Sequence, residues 1–479
     1  MASNKVQKFD RNNGIEHSND DNDDNDDMEA QVLDNDNSNI AKDYVPADSS
    51  EREITKNKDG QVDFKERQRK RKMWIIGGVI FFVSGAILAL CLSLLLLDDE
   101  ERVVDRNHML KLVPETTKIA LNDKTSHQSQ ALNWLLEDPA VHDYSDERLM
   151  QRFALATLFM ALNGQRWIRQ GHWLSATHHE CDWTQTDLVD LSANSTGSDA
   201  RATLLPVCSG YPVRLYQELH LDGNNLQGSL PPEISLLTSL KKISLADNHL
   251  SGSLPTEVGL LFNNLSSLVL SKNNLSGDML GKLFNNMTQL IELRLDHNSM
   301  MTRIPEELGL LGKLQYLSLA NNGANGTIPS QLFDLVKLEV LDLSDNNLLG
   351  DIPSGLGNLH QIKILHLGKN KFSNTIPASF GRLSNLQQLR LEQNQIPGSL
   401  PTVLGRVTDL EELDISLNKL TGTFPTQLSQ LRKLKTLVLD SNDLSGTLPL
   451  KIGTPQKMCL LSTKYNDQSL HLCALALSR

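Results

Sequence analysis

The sequence has few aromatic residues, few cysteines and no excess of positive charge. Aromatic residues make up 5% of its 479 residues, which argues against a broad aromatic platform for ligand binding. The formal net charge is -12, which argues against a nucleic-acid partner because phosphate binding requires a basic surface. The length exceeds what one compact core usually holds, so several segments are expected.

Catalytic signatures are also absent from the sequence. It contains no H-E-x-x-H, G-x-S-x-G or P-loop motif and no set of kinase motifs. His178, His179 and Cys181 lie close together, but no second pair of ligands stands at metal-binding spacing. The sequence therefore predicts a protein that is not an enzyme and has no catalytic residue, metal site or cofactor.

The first 64 residues are polar and acidic. They include the run Asn19 to Asp27 and show no sustained apolar period. Such a composition cannot bury enough apolar surface to offset the entropy lost on ordering. Residues 1–64 are therefore predicted to be a disordered tail, and their start lacks the pattern of a signal peptide.

A long uncharged stretch runs from Met73 to Leu97. A helix of this length would extend roughly 37 Å, enough to cross a hydrocarbon core of about 30 Å. A helix buried in a soluble domain is the alternative, but charged flanks on both sides favour a transmembrane helix. One face carries Gly85, Ala89 and Ser93, which either supports a homodimer through the span or reflects the small residues common in spans.

The two flanks of this stretch differ in charge, which predicts its orientation. The basic juxtamembrane segment 65–72 holds Lys65, Arg67, Arg69, Lys70, Arg71 and Lys72, and the acidic flank holds Asp98, Asp99, Glu100 and Glu101. The positive-inside rule places residues 1–72 in the cytoplasm and everything after Leu97 outside the cell or in a lumen. A nuclear-localisation patch is the other interpretation of the basic run, which its place beside the span disfavours. The Asn-x-Ser/Thr glycosylation sites follow the span, at Asn194, Asn264, Asn274, Asn286 and Asn325.

Residues 98–144 are predicted to form a stalk and residues 145–215 a helical N-terminal cap. Ser145 is a favourable N-cap, acidic residues follow in the first turn, and Asn163 with Gly164 ends the helix. Three tryptophans then cluster at Trp167, Trp173 and Trp183. This cluster favours a hydrophobic lid over a cage for a ligand.

From Tyr216 to Pro449 the chain repeats every 24 or 25 residues. Ten copies share a central apolar position (Leu219, Ile243, Leu268, Leu293, Leu317, Leu341, Leu365, Leu389, Leu413, Leu437) and an Asn five residues later (Asn224, Asn248, Asn273, Asn298, Asn322, Asn346, Asn370, Asn394, Asn418, Asn442). The pattern L-x-x-L-x-L-x-x-N-x-L is typical of leucine-rich repeats. It predicts an α/β repeat solenoid over residues 216–449, a right-handed horseshoe with a parallel concave sheet, followed by a C-terminal cap at 450–479. The Asn side chains are expected to bond backbone groups where each strand turns away.

The repeat endings "LQGSLP", "LSGSLP", "LLGDIP" and "LSGTLP" resemble plant-type leucine-rich repeats of receptor-like proteins and receptor-like kinases. The segment with Trp173, Cys181, Trp183 and Cys208 is similar to their N-terminal cap, which packs tryptophans under a disulfide. The resemblance covers about residues 145–449 and implies a concave face that binds peptides, proteins or glycans. The chain departs from the receptor kinases because it has no kinase motifs, its span precedes the repeats, and its cap cysteines are more widely separated.

Four of the five cysteines follow the span, on the side where disulfides persist. Four cysteines allow three pairings. Because Cys181 with Cys208 and Cys459 with Cys473 bracket the repeats, we expect one bridge in each cap. The fifth, Cys91, lies within the span, where an inert apolar role is expected.

The residue after each central leucine is expected to point from the concave face, because strand side chains alternate. In order, this column is His220, Ser244, Val269, Arg294, Ser318, Asp342, His366, Arg390, Asp414 and Val438. Arg294, Asp342, His366, Arg390 and Asp414 are the predicted ligand-binding residues, in which Arg294 and Arg390 would hold a carboxylate or sulfate. The alternative is mutual neutralisation, with Arg390 paired to Asp414 across neighbouring strands.

Together these features predict a single-pass type II membrane protein with a leucine-rich-repeat ectodomain, at the plasma membrane or in an internal membrane. The ectodomain would bind a peptide, protein or glycan and signal through a co-receptor, through other partners of the tail, or through dimerisation. A surface adhesion protein and a membrane-held inhibitor of secreted hydrolases are the other hypotheses. The motifs do not identify the ligand.

The orientation can be tested on intact cells that express the chain with a tag at each terminus. We expect added protease to remove the C-terminal tag and to spare the N-terminal tag, because the basic flank keeps residues 1–72 in the cytoplasm. Permeabilised cells, in which both tags become accessible, provide the control. Loss of the N-terminal tag alone from intact cells would reverse the orientation.

Overall fold

The computed structural model describes residues 102–175, 178–183, 208–209, 214–261, 264–279, 281–301, 303–446, 457–460 and 472–475. The predicted tail, basic segment and span (residues 1–97) lie outside these residues, as does Asn194. Within the described ranges, no helix is long and apolar enough to cross a membrane.

The described part of the solenoid is built on one parallel sheet. We name its strands rungs 1 to 10: Glu218–His220, Lys242–Ser244, Ser267–Val269, Glu292–Arg294, Tyr316–Ser318, Val340–Asp342, Ile364–His366, Gln388–Arg390, Glu412–Asp414 and Thr436–Val438. Each rung pairs with the next so that equivalent repeat positions lie side by side, as Leu341 lies beside Leu365. The central leucines and the apolar residues two positions later are buried, as predicted.

The remainder of each repeat returns the chain to the next rung. Short second strands follow the rungs: Gln227–Ser229, His249–Gly252, Asn274–Gly277, Ser299–Met300, Asn325–Gly326, Asn347–Gly350, Lys371–Phe372, Pro397–Gly398, Lys419–Thr423 and Asp443–Ser445. The opposite, convex side carries 3₁₀ turns at Pro232–Leu236, Gly281–Leu283, Glu306–Leu310, Ser330–Asp334, Ser354–Asn358, Ala378–Arg382, Thr402–Arg406 and Thr426–Gln430, and a short helix at Val258–Leu261. In the regular repeats a proline precedes the turn, and it has no N–H to extend a strand ladder.

The repeated asparagines join neighbouring rungs, as their spacing predicted. The Asn370 amide nitrogen donates to Leu343 O on the preceding repeat, at 2.9 Å, and to two carbonyls of its own repeat. Its side-chain oxygen accepts from Leu348 N of the preceding repeat, at 3.0 Å. One buried side chain thus bonds four backbone groups of two adjacent repeats, and the three carbonyls among them also accept from a neighbouring asparagine or a backbone N–H.

Among the described residues before the repeats there are four α-helices: α1 (Arg106–Leu112), α2 (Glu115–Ala120), α3 (His127–Leu136) and α4 (Asp146–Ala161). Ser145 caps α4 by accepting from Arg148 N, as the sequence predicted. The range 102–144, expected to be a stalk, instead holds α1 to α3, which share a buried apolar core with α4. Because this core has no regular repeat, the sequence of this range predicts only one short amphipathic helix, at Gln130 to Leu136, which lies within α3.

A buried ion cluster holds these helices to the cap. Arg152 is 0% exposed, and its guanidinium bonds Asp138 at 2.9 Å and Glu180 at 3.1 Å. Burial raises the pKa of Glu180, but hydrogen bonds and charge from Arg148 offset this, so the net pKa is lowered. Because removal of one partner would leave a buried charge unpaired, the cluster fixes how the helices meet the cap.

The cap seals the first rung through tryptophans, a disulfide and a copy of the asparagine bond. Trp167, Trp173 and Trp183 are buried in the core that runs through the repeats, so they form a lid. A disulfide joins Cys181 to Cys208, as expected. Asn224 of the first repeat bonds the backbone of Arg169, which stands where a preceding rung would be.

At the other end, the strand Lys457–Leu460 pairs in parallel with rung 10. The strand Leu472–Leu475 then pairs antiparallel with Lys457–Leu460. Cys459 and Cys473 are partners in this backbone register. Directly opposed positions of an antiparallel pair are close enough for a disulfide. The Cys459–Cys473 bridge remains a prediction, because the side chains of these strands lie outside the description.

Asn370→Ala tests the two-rung bond. Because it takes the acceptor from the buried N–H of Leu348 and leaves Leu343 O with Asn346 as its remaining donor, we expect unfolding free energy to fall by about 1–3 kcal/mol. The exposed neighbour Asn347 provides the matched control Asn347→Ala, with an expected change below about 0.5 kcal/mol. Urea unfolding and hydrogen exchange at Leu348 measure both variants. Equal effects of the two substitutions would mean that the side-chain bonds of Asn370 do not stabilise the fold.

Candidate functional site

The concave face presents two columns of side chains from every rung. The central leucine points into the core, so the residues before and after it both point out. The column after the leucine was predicted from the sequence, whereas the column before it was missed. The missed column includes Glu292, Tyr316, Val340, Ile364 and Glu412, and the same alternation would have identified it.

The predicted stripe on rungs 6 to 9 is continuous in the backbone. Asp342 lies beside His366, His366 beside Arg390, and Arg390 beside Asp414. Arg294 lies apart, on rung 4. The structure therefore brings four of the five predicted ligand-binding residues together and separates the fifth.

Both arginines that were predicted to bind an anion form ion pairs with glutamates of the column before the central leucine. Arg390 bonds Glu412 at 2.7 Å, so the alternative pairing with Asp414 is wrong in its partner. Arg294 bonds Glu292 at 2.6 Å, and its guanidinium lies 3.9 Å from the centre of the Tyr316 ring. A free carboxylate or sulfate would have to displace these glutamates, so neither arginine is a ready anion site.

Asp342 and His366 form a part-buried pair. His366 Nδ1 is 3.6 Å from Asp342 Oδ2, and His366 Nε2 is 3.2 Å from Gln388 Oε1. Ser344 donates to Asp342 through both its N–H and its hydroxyl. Burial raises the pKa of Asp342, but the bonds from His366 and Ser344 outweigh it and lower the pKa, so Asp342 is ionised near neutral pH.

Glu392 lies next to this pair and is poorly satisfied. Its Oε2 atom is buried and has no hydrogen-bond partner among the described residues. Burial and the charge of Asp414 raise the pKa of Glu392, despite a backbone hydrogen bond and the charge of Arg390, which lower it. Its carboxylate occupies the space beside Gly368, where a larger residue would overlap it.

In the middle of the concave face, the column before the central leucine is apolar. Tyr316, Val340 and Ile364 lie side by side on rungs 5 to 7, and all three are part-exposed. In the same repeats, the third residue after the central leucine is small: Ala320, Ser344 and Gly368. Small residues beside a part-exposed apolar row leave room for an extended segment to lie across the rungs.

The predicted glycosylation sites in the described residues lie away from the concave columns. Asn264, Asn274 and Asn325 are exposed and Asn286 is half-buried, all outside the two concave columns of rungs 3 to 5. In the described ranges no group of three or more His, Cys, Asp or Glu is arranged to hold a metal ion. The stripe thus presents two carboxylates, one imidazole and one guanidinium that is already paired with Glu412.

Family models match the repeats that form this face. The model described as Leucine-rich repeat region matches residues 322–449, and the model described as Leucine Rich Repeat matches residues 217–237 and 239–261. The chain contains leucine-rich repeats. A comparison with curated proteins gives no match.

Solved ectodomains of plant receptor kinases are similar to the chain. The ectodomain of GASSHO1/SCHENGEN3 from Arabidopsis thaliana, in complex with CASPARIAN STRIP INTEGRITY FACTOR 2, is 35% identical, with a TM-score of 0.52 over 54% of this chain and 31% of that chain. The Arabidopsis receptor kinase HAESA, in complex with the peptide hormone IDA and the co-receptor SERK1, is 32% identical, with a TM-score of 0.49 over 51% and 41%. The chain spans less than half the length of either.

Glu392→Gln tests the electrostatics of the site. The raised pKa of Glu392 means that stability is fully present below the pKa of the unfolded chain and is lost as pH rises through the folded pKa. Glutamine never ionises and avoids that loss, so we expect the variant to melt about 1–2 °C higher at pH 7. The difference should vanish below about pH 4.

Melting curves between pH 4 and pH 8 measure this effect. Glu306→Gln, at an exposed convex position, is the control and should change little at any pH. A lower melting temperature for Glu392→Gln at pH 7 would mean that the carboxylate stabilises the fold.

Proposed function

We propose that the chain is a membrane-anchored leucine-rich-repeat receptor-like protein whose concave face binds an extracellular peptide, protein or glycan. The observation that carries this proposal is the concave sheet, where leucine and asparagine repeat and the outward columns do not. A face whose scaffold is uniform and whose exposed side chains vary from rung to rung is suited to selective binding. The similarity to the GASSHO1/SCHENGEN3 ectodomain, solved with a bound factor, supports the same function.

The membrane part of the proposal rests on the sequence. Residues 1–64 are the cytoplasmic tail, 65–72 the basic flank and 73–97 the type II span. Residues 98–479 then lie outside the plasma membrane, with glycans on the five Asn-x-Ser/Thr sites and a Cys459–Cys473 bridge in the C-terminal cap. The folded range 102–144 belongs with the cap in this arrangement, since its helices share a core with α4.

The proposed ligand-binding residues are Asp342, His366, Arg390 and Asp414 on rungs 6 to 9, with Arg294 on rung 4. Asp342 and Asp414 are part-exposed, so their carboxylates can accept hydrogen bonds from a ligand. Arg294 and Arg390 act from within their ion pairs with Glu292 and Glu412, as rigid donors. Signalling then passes to partners of the tail or through dimerisation of the span.

Proximity labelling from the tail separates a receptor from an adhesion protein. A promiscuous biotin ligase fused to the N-terminus should recover a kinase or adaptor, and ligand should change the amount recovered. A catalytically dead ligase gives the background. Recovery of only structural surface proteins, with and without ligand, would favour adhesion.

A glycan placed on the concave face should block binding whatever the ligand is. Ile364→Asn with His366→Thr creates Asn-Leu-Thr on rung 7 and keeps the buried Leu365. We expect this variant, displayed on cells as the full chain, to lose binding to every surface peptide or glycan that the parent binds.

The matched control is Asp334→Asn with Val336→Thr, which creates the same sequon around the buried Leu335 at two exposed convex positions. It should keep full binding. A gel shift that a glycosidase reverses reports that each glycan is attached. Undiminished binding by the concave variant with its glycan attached would move the binding surface elsewhere.

A further inference from the structure

The charges on the concave face of rungs 6 to 9 are not balanced. The arginines and lysines there are engaged by partners, as Arg390 is by Glu412 and Lys363 by Glu339. Asp342, Glu392 and Asp414 have no Lys or Arg salt bridge among the described residues. This part of the face therefore carries excess negative charge once its internal ion pairs are counted.

The carboxylate of Glu392 lowers the stability of the free protein, and no contact within the described residues offsets this loss. Its Oε2 atom is buried without a hydrogen bond among the described residues, and it lies near Asp414. Buried polar atoms are almost always satisfied, so an exception calls for an explanation. A cation from a ligand would supply both the missing hydrogen bond and the missing positive charge.

The acidic residues adjoin the apolar row of Tyr316, Val340 and Ile364. Rungs lie about 4.8 Å apart, so rung 5 to rung 9 spans about 19 Å, the length of roughly six extended residues. Ser344 and Gly368 are small, and they flank the route from the apolar row to Glu392. An extended segment can therefore contact both regions at once.

We propose that rungs 5 to 9 bind an extended peptide in which an apolar side chain lies close in sequence to a lysine or arginine. The apolar side chain packs on Tyr316, Val340 and Ile364, and the cation is held among Asp342, Glu392 and Asp414. This inference rests on the proposed function and names the chemistry of its ligand. It reverses the expectation of a carboxylate or sulfate, because both arginines already hold glutamates.

A peptide fits this surface better than a glycan for two reasons. Val340 and Ile364 are aliphatic, whereas the flat faces of sugar rings pack preferentially on aromatic side chains, of which this row has one. Surface glycans are mostly neutral or anionic, so three carboxylates without cationic partners would repel or ignore them. Lysine and arginine are the common cations of secreted peptides, and both extend far enough to reach a recessed carboxylate.

A phage library of random 12-residue peptides, panned on the purified full chain, tests the proposal. We expect enriched peptides to carry Lys or Arg within about four residues of Leu, Ile, Val or Phe. Binding of one enriched peptide to Asp342→Asn with Asp414→Asn should weaken about tenfold at low salt. The weakening should shrink at high salt, because added ions screen the charge that is removed.

Two single variants separate recognition from folding. Glu392→Gln should weaken the same peptide several-fold while its melting temperature does not fall, which a merely structural role would not produce. Ile364→Ser should weaken peptides through the apolar side chain and leave their salt dependence unchanged. Asp334→Asn removes an exposed carboxylate from the convex side and should leave affinity unchanged.

The outcomes distinguish this inference from the proposed function. Enriched peptides that are acidic and depend on Arg390, or that lack a cation, would overturn the inference and leave a peptide receptor. Enrichment of no peptide, together with glycan binding that the concave glycan blocks, would also overturn it while the function stands. A concave glycan that blocks nothing would remove the proposed function itself. An equal loss for Asp334→Asn would place the peptide outside rungs 5 to 9.

Discussion

The solenoid depends on one side chain that serves two repeats at once. Asn370 donates to carbonyls of its own repeat and of the preceding one, and it accepts from Leu348 of the preceding one. Where each strand turns away from the sheet, the backbone would otherwise bury groups that the ladder no longer satisfies. The amide has the two donors and the acceptor that this turn requires, whereas an ionised carboxylate has no donor and a hydroxyl has only one. The cap obeys the same requirement, since Arg169 offers its backbone to Asn224 in place of a preceding rung.

Much of the fold was predictable because it repeats. Ten copies in register revealed the rungs, the buried leucines and the role of Asn370, and a favourable N-cap at Ser145 located α4. The helices α1 and α2 escaped prediction because a core that is used once leaves no period to detect. Arg152 shows the limit at one residue. The helical period places it on one face with Leu149, Phe153 and Ala156, but its partners Asp138 and Glu180 come from separate segments that only the folded chain brings together.

In the candidate site, the sequence predicted which residues lie side by side on neighbouring strands, but it predicted their side-chain partners less well. Strand register followed from the repeat, so the neighbours of His366 were correct. The partner of Arg390 was not, because a long side chain can reach across to the column before the next leucine and meet Glu412 there instead of Asp414. The sequence places Glu392 in a neighbouring column of the concave face, three residues after the central leucine, but that column alone does not reveal its burial. Its burial arises from the missing side chain at Gly368, one rung away.

The asparagine bond joins each repeat to the preceding one in the same way, and this has an evolutionary consequence. The side chain of Asn370 bonds its own repeat and the one before it, so these bonds do not depend on how many repeats lie beyond. A duplication or deletion of one whole repeat by unequal recombination would therefore leave every junction intact and every buried amide supplied. What would change is the alignment of the outward columns, as every side chain beyond the event moves by one rung relative to those before it. A lineage of such proteins can thus alter what it recognises in a single genetic step, with no intermediate that fails to fold.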